Sequence, residues 1–232
     1  MIDITPLEDL GHADHGWLDA RHHFSFAKYY NPERMGFGKL RVWNDDLIKA
    51  GKGFPMHPHA DMEIITYIRK GSISHEDNLG NSGITEAGDV QVMSAGTGIF
   101  HSEYNRGDVD TELFQIWIET DHSNHQPRWD TKKFPDAGRG ARLEPLASGR
   151  AGHDEALMIH QDAALFGATL ETGDNVTHPL EPGRRAYIVA VRGRVMVNGK
   201  EAPPRAGIAI SDESDISIEA LEPGEVVLLD LP

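Results

Sequence analysis

Two pairs of side chains in this sequence of 232 residues have the chemistry of metal ligands. His57 and His59 flank a proline, and His101 and Glu103 repeat the same spacing farther along the chain. Residues two apart on an extended strand point to the same face, so each pair would present two donor groups together. Three imidazoles and one carboxylate suit Fe(II), Ni(II), Cu(II), Zn(II) or Mn(II), and ligand type alone does not choose among these ions. On an octahedral ion, four such ligands would leave two positions open for a substrate.

The composition limits which atoms could bind a metal and which partners are plausible. The chain has no cysteine, which excludes disulfides, thiolate nucleophiles, iron–sulfur clusters and cysteine zinc sites. Any metal must therefore use nitrogen and oxygen ligands. Thirty-seven acidic residues against 22 basic ones give a formal charge of −15, which would repel a phosphate backbone. We therefore expect no nucleic-acid partner.

The elements that would position these ligands are short strands. Runs of β-forming residues alternate with glycine and asparagine turn signals, and no helical periodicity persists beyond a turn or two. The runs that matter for the site are 63–68, 90–94, 99–104 and 112–119. Asn198-Gly199 is the strongest hairpin signal, because a type I′ turn needs positive φ at both central residues. The sequence thus predicts an all-β fold, in which most of the regular structure is β-strand.

A polar stretch divides the chain and suggests two domains. We expect a metal-binding N-terminal domain over residues 1–120, a linker region over 121–152 and a C-terminal domain over 153–232. His122 and His125 lie in this linker, where the sequence offers no further ligand for a second metal site.

The second half of the chain repeats the first in degenerate form. His178-Pro179-Leu180 echoes His57-Pro58-His59, and each is followed by a run that ends in a basic residue and a turn glycine. Leu180 takes the place of the second histidine, and residues 207–220 contain no histidine to match His101. We therefore expect a C-terminal domain without metal ligands, to which N-terminal or linker strands could also contribute, and one metal site in the chain.

Longer motifs give these residues a family resemblance. Gly51-(5)-His57-Pro58-His59-(3)-Glu63-(7)-Gly71 resembles the first cupin motif, and Gly88-(5)-Ser94-Ala95-Gly96-(4)-His101-(3)-Asn105 resembles the second. More narrowly, the chain is similar to the pirin family, and most similar to the bacterial pirin-like proteins that act as quercetin 2,3-dioxygenases. The segments that carry this similarity are His23–Phe26, Gly36–Gly38, His57–Glu63 and Met93–Glu103.

The resemblance implies a bicupin, two β-barrel or jelly-roll domains in tandem, with its metal ligands at His57, His59, His101 and Glu103. It implies cleavage of a flavonol such as quercetin by dioxygen with release of carbon monoxide, so the expected partners are a small aromatic substrate and dioxygen. Glu103 is then also the candidate catalytic proton acceptor. The cofactor expected is one divalent transition metal, with Fe(II) as first choice and Ni, Cu, Mn, Co or Zn as alternatives.

Three questions stay open at this stage. Glu63 has the parity of His57 and His59 and is an alternative ligand or base, although a hydrogen-bonding role beside the ligands is favoured. A pirin-type regulator that binds a protein partner is the alternative function, but Ala60-Asp61-Met62 departs from the basic residue, glycine and phenylalanine of animal pirins. A cupin isomerase is a third possibility, because the fold hosts many activities.

Two further expectations concern the surroundings of the site and of the protein. Phe54 and Met56 are candidates for an apolar pocket wall beside the first histidine. The chain has no run of about 18 apolar residues and no secretory signal, so we expect no membrane segment and a cytoplasmic protein.

Overall fold

The computed structural model describes residues 1–134 and 140–232, which are organised in two compact units. The N-terminal unit comprises residues 11–134 and 157–161. The C-terminal unit comprises residues 1–10, 140–156 and 162–232. Almost all regular structure in the described residues is β-strand, and a 3-10 helix spans Leu7–Asp9. The prediction of an all-β chain is confirmed.

The strands are numbered in chain order. They are β1 (Ile2–Thr5), β2 (Gly11–Asp14), β3 (Leu18–His22), β4 (Leu40–Ile48), β5 (Gly53–His59), β6 (Met62–Lys70), β7 (Ser72–Asp77), β8 (Ser82–Glu86), β9 (Asp89–Ser94), β10 (Ile99–Tyr104), β11 (Thr111–Glu119), β12 (Arg128–Lys133), β13 (Glu144–Ser148), β14 (Leu157–Met158), β15 (Ala164–Leu170), β16 (Asn175–Pro179), β17 (Arg185–Arg192), β18 (Val195–Val197), β19 (Lys200–Ala202), β20 (Gly207–Ser211), β21 (Asp215–Ala220) and β22 (Gly224–Leu231).

The N-terminal unit contains two antiparallel sheets. The larger sheet has the strand order β12-β9-β6-β11-β4-β3-β2, and the smaller has the order β5-β10-β7-β8. Within the predicted linker, β12 pairs with β9 along its full length. Buried side chains of both sheets, among them Ile68 and Leu113 of the larger sheet and Ile73 of the smaller, pack in one apolar cluster. This arrangement encloses an interior between the two sheets.

A row of buried polar side chains runs across the larger sheet, one from each of five adjacent strands. Gln91, Thr66, Gln115, Asn44 and His22 pair in sequence across β9, β6, β11, β4 and β3. All five are buried. They satisfy one another through hydrogen bonds from the Gln91 and Gln115 amides to Thr66 Oγ1, and between His22 and Asn44. Buried polar groups need such partners, and the row supplies them in two hydrogen-bonded groups, one around Thr66 and one between His22 and Asn44.

The C-terminal unit has a comparable layout but a different interior. One sheet contains the order β1-β20-β17-β22-β15-β13, and the other has the order β16-β21-β18-β19. The inward positions are filled by aliphatic residues, including Ile188, Leu228 and Ile218, which form one apolar cluster. Leu180 belongs to that cluster. The interior of the C-terminal unit therefore contains a packed apolar core, whereas the interior of the N-terminal unit contains a polar row.

The described residues also bear on the expectation about membranes. In this part of the chain, no helix has the length and apolar character needed to cross a membrane.

Candidate metal centre

The predicted ligands lie on two neighbouring strands of the smaller sheet. β5 carries His57 and His59, β10 carries His101 and Glu103, and His57 pairs with His101 in an antiparallel register. β5 is the edge strand of this sheet. An edge position tolerates Pro58 between the histidines, because a proline cannot donate a ladder hydrogen bond. The sequence spacing therefore brings the two donor pairs side by side.

Three of these side chains converge on one point. The donor atoms of His57, His59 and His101 lie within 4.8 Å of one another. The ring centroid of His57 is 4.5 Å from that of His101 and 4.8 Å from that of His59. His59 also packs edge-on against Trp117, at 4.9 Å between centroids. Three of the four predicted ligands therefore form one group of donor atoms.

Hydrogen bonding determines which nitrogen of His57 is free. Its Nδ1 lies 2.8 Å from the carbonyl oxygen of Pro55. A carbonyl can only accept a hydrogen bond, so Nδ1 of His57 carries the proton. In the neutral ring, Nε2 then presents a lone pair, the usual arrangement for a metal-binding histidine whose other nitrogen is held by an acceptor.

A chain of three side chains sets the tautomer of His101 in the same way. Asp77 Oδ2 lies 3.1 Å from Nε2 of His75, so that nitrogen donates and Nδ1 of neutral His75 accepts. Nδ1 of His101 is 3.4 Å from this acceptor, Nδ1 of His75. It therefore carries the proton of the hydrogen bond between the two rings. The Nε2 atom of His101 is left with its lone pair. His75 is itself fixed by stacking on Trp129, with centroids 4.8 Å apart.

The two nitrogens that carry these lone pairs lie close together. Nε2 of His57 and Nε2 of His101 are 3.1 Å apart. Two neutral acceptors at this distance repel unless a cation lies between them. Two ligands bonded at about 2.1 Å to one ion, at right angles to each other, are about 3 Å apart. The donor set thus fits a first-row transition metal.

Burial keeps the imidazoles of His59 and His101 neutral. It lowers the pKa of His101 to about 2, with a further contribution from the neighbouring His57 and His59. Burial and the proximity of His57 also lower the pKa of His59 to about 4. Only the neutral ring can donate a lone pair to a metal, so both groups are available as ligands at neutral pH.

Glu103 lies deeper, against the polar row. Gln115 donates to its Oε2 at 2.7 Å, and Gln91 donates to its Oε1 at 2.5 Å. Burial raises the pKa of Glu103 to about 7, although these hydrogen bonds oppose the shift. Its carboxylate lies within 4.8 Å of donor atoms of His101 and His75, while His57 and His59 belong to the neighbouring group. Glu103 therefore adjoins the three-imidazole cluster through His101.

Glu63 lies on the other face of β6. Thr66 of the same strand faces the interior, and odd and even positions of a strand face opposite sides. Glu63 accepts a hydrogen bond from Ser94 at 2.8 Å and lies 3.0 Å from Nδ1 of His160. Glu63 is an even number of residues from His57 and His59, which on one continuous strand would place all three on one face. The chain turns at Asp61, whose φ is +48°, so Glu63 does not share that face.

A cavity of about 190 Å³ adjoins the histidines. Its apolar wall includes Leu18, Phe26, Phe54 and Trp117, so one of the two expected wall residues is present. Met56, the other, is 52% exposed and points outward. Besides the predicted ligands, the polar wall contains His22, Asn44, Asp46 and Gln115, and no sequence motif marks the last three.

Another donor group lies on the surface of the same unit. Asp121, His122 and His125 also hold their donor atoms within 4.8 Å. Nε2 of His125 is 2.6 Å from Asp121 Oδ1, and the two histidine rings stack at 3.7 Å. Asp121 thus adds a carboxylate to the two histidines of the predicted linker. Both Asp121 and His122 are exposed, unlike the ligands around the cavity.

Family models match both halves of the chain. The model described as Pirin matches residues 5–118, and the model described as Quercetinase C-terminal cupin domain matches residues 146–231. The chain therefore contains two cupin-type domains in tandem, as the sequence motifs predicted.

Relatives match the full length of the chain. A Pseudomonas aeruginosa protein, provisionally named a quercetin 2,3-dioxygenase, is 57% identical over 231 residues and covers 100% of both chains. The Escherichia coli K12 protein named quercetin 2,3-dioxygenase is 46% identical over 100% of this chain and 99% of its own. The crystal structure of the Escherichia coli bacterial pirin YhhW in complex with nickel(II) superposes with a TM-score of 0.94 at 45% identity, covering 100% of this chain and 99% of that one. On this evidence the chain belongs to the pirin family.

Proposed function

We propose that this protein is a metal-dependent dioxygenase that cleaves a flavonol such as quercetin and releases carbon monoxide. The observation that carries the proposal is the 3.1 Å approach of the Nε2 atoms of His57 and His101 beside a cavity with aromatic walls. The names of the relatives point in the same direction. In the overall reaction, the flavonol gains both atoms of dioxygen and loses one carbon as carbon monoxide.

We propose His57, His59, His101 and Glu103 as the residues that hold the metal. When bound, a divalent ion would supply Lewis acidity that lowers the pKa of the flavonol hydroxyl and would bring the substrate and dioxygen together. Fe(II) remains our first choice, with Ni, Cu, Mn, Co or Zn as alternatives. The nickel complex of the Escherichia coli relative supports an ion of this group.

The residues of the chain have three tasks in this proposal. Glu103 accepts the hydroxyl proton, as the carboxylate base that lies beside His101. Gln91 and Gln115 hold its carboxylate in place by donating to it. Phe26 and Trp117, which meet edge-on at 5.4 Å, offer an apolar wall to a planar aromatic and help to exclude water.

The test loads the purified protein with each candidate metal and follows the loss of flavonol absorbance together with carbon monoxide release. Turnover with at least one metal is expected, and His59→Ala should abolish it. His12→Ala is a matched control, because His12 is an exposed histidine paired with Asp19 on the same unit. Turnover that survives His59→Ala would contradict the proposal.

One observation favours the alternative function, a non-enzymatic regulator that binds a protein partner. Met56 and Phe100 are exposed apolar side chains on β5 and β10, the strands that carry the ligands. A metal that orders these strands would also order this surface. Absence of flavonol turnover with every metal, together with metal-dependent binding of a protein that Phe100→Ser weakens, would favour the regulator.

A further inference from the structure

One buried carboxyl group lies in an otherwise apolar part of the interior. Asp46 on β4 pairs with Leu113 of β11 and Ala20 of β3, and Leu113 pairs with Ile68. These three neighbours belong to one buried apolar cluster. The Asp46 residue is itself only 3% exposed. A carboxyl group in such surroundings costs stability unless its oxygens find hydrogen-bonding partners.

One oxygen of this carboxyl group lacks a partner among the residues that the structure describes. Among residues 1–134 and 140–232, no group forms a hydrogen bond with Asp46 Oδ1. Its neighbour Asp45 faces the opposite side of β4 and pairs with Arg69. Buried polar atoms in native proteins rarely stay unpaired, so the position calls for a functional explanation.

The residue that carries this buried oxygen also belongs to the cavity wall. Asp46 lines the same cavity as His57, His59 and His101. It lies two residues along β4 from Asn44 of the polar row, which is about 7 Å on an extended strand. Burial, followed by the charges of Asp45 and Glu103, raises the pKa of Asp46 well above its usual range. A neutral carboxyl group can both donate and accept a hydrogen bond.

We propose that Asp46 is a substrate-contacting residue that binds a hydroxyl group on the part of the aromatic substrate that lies away from the metal centre. The inference rests on the proposed function and adds a specificity determinant to it. A substrate without the distal hydroxyl would leave the buried carboxyl group unpaired, which is the strongest basis on which a site rejects an analogue. The site should therefore select polyhydroxylated aromatics over those that carry only the metal-binding hydroxyl.

The test compares two flavonols on four proteins. Quercetin carries distal hydroxyl groups, and 3-hydroxyflavone carries only the hydroxyl expected at the metal. The proteins are the wild type, Asp46→Asn and Asp46→Leu, with Asp19→Asn as control because Asp19 is an exposed carboxylate of the neighbouring strand. The ratio of kcat/KM for quercetin to that for 3-hydroxyflavone should fall about 10- to 100-fold in Asp46→Leu and less in Asp46→Asn. In Asp19→Asn the ratio should stay within twofold.

A binding measurement separates this inference from the proposed function. Quenching of tryptophan fluorescence reports the Kd of each flavonol independently of turnover, because Trp117 lines the cavity. If quercetin binds tightly and its binding depends on Asp46, but no turnover occurs, the result would contradict the dioxygenase proposal and support the role of Asp46. An unchanged quercetin preference in either variant that folds, in both Kd and kcat/KM, would overturn the role of Asp46. Failure of the wild type to bind either flavonol would overturn both.

Discussion

Nε2 of His57 and Nε2 of His101 face each other at 3.1 Å, and the hydrogen bonds behind both rings leave each nitrogen with its lone pair. Two side chains on paired strands are thus held in a contact that is unfavourable for the protein alone and favourable around a cation. The arrangement depends on Pro55 for one ring and on His75 with Asp77 for the other.

The first prediction concerns Asp77 as a positioning residue. Its Oδ1 accepts hydrogen bonds from the backbone of Leu79 and Asn81, and its Oδ2 faces His75. In Asp77→Asn, the amide oxygen should keep the backbone contacts and the amide nitrogen should face His75. His75 would then donate toward His101, and His101 would carry its proton on Nε2. Metal affinity should fall about 10- to 100-fold, as measured by competition with a chromophoric chelator.

Glu76→Gln is the matched control for that experiment. Glu76 is the adjacent carboxylate, is 48% exposed at its side chain and pairs with Arg106. Its replacement should leave metal affinity within twofold of the wild type. Equal affinities of the Asp77→Asn and Glu76→Gln proteins would show that the tautomer chain has no part in metal binding.

The second prediction separates the two glutamates. Glu103→Gln should weaken metal binding at least tenfold and remove flavonol turnover, because a neutral amide is a poor ligand and a poor base. Glu63→Gln should leave metal affinity unchanged and lower the free energy of unfolding by about 1 to 3 kcal/mol, because it disturbs the buried contacts with Ser94 and His160. Calorimetric metal titration and urea unfolding of both variants would measure this. A larger loss of metal affinity in Glu63→Gln than in Glu103→Gln would show that Glu63 is the fourth ligand.

The third prediction concerns stability of the C-terminal unit and its pH dependence. Asp230 is buried and bonded to His178 at 2.9 Å and Arg184 at 2.6 Å. Burial alone would raise its pKa, but these two partners outweigh burial and lower the pKa of Asp230 below its ordinary value of 3.8. The stabilisation is therefore complete above pH 3.8 and is lost as pH falls through the lower pKa of the folded state. Asp230→Asn should cost about 3 kcal/mol at pH 7 and less at pH 3.

Asp162 provides the control for Asp230. It also pairs with Arg184, but its side chain is 62% exposed. Asp162→Asn should cost less than about 1 kcal/mol, because exposed ion pairs are screened by solvent. Urea unfolding at pH 7 and pH 3 would give all these values. A cost for Asp230→Asn that does not diminish at pH 3 would contradict the pH argument.

The ligand pairs and the strands that carry them could be predicted from the sequence because both follow a local period of two. His57, His59, His101 and Glu103 lie on strands, and Asn198-Gly199 forms the turn between β18 and β19 with φ of 45° and 79°. These features depend only on residues close in the chain.

Other features depend on register between distant strands. Thr66, Gln91 and Gln115 are each a single polar residue in an apolar run, and only the alignment of β6, β9 and β11 joins them into the row that holds Glu103. β1 pairs with β20, about two hundred residues away, and no local pattern specifies that partner. His75 and Asp77 repeat the spacing of two found in the ligand pairs, a signal that could have identified them as a third functional pair.

The most direct test of the metal centre is a crystal of the nickel-loaded protein, measured at the nickel absorption edge. The anomalous map is predicted to show an ion bonded to Nε2 of His57, His59 and His101 at about 2.1 Å and to the Glu103 carboxylate. Density for an ion at Asp121, His122 and His125 could accompany this peak without replacing it. A map with no peak between His57 and His101, or with the ion bonded to Nδ1 of either ring, would contradict the account.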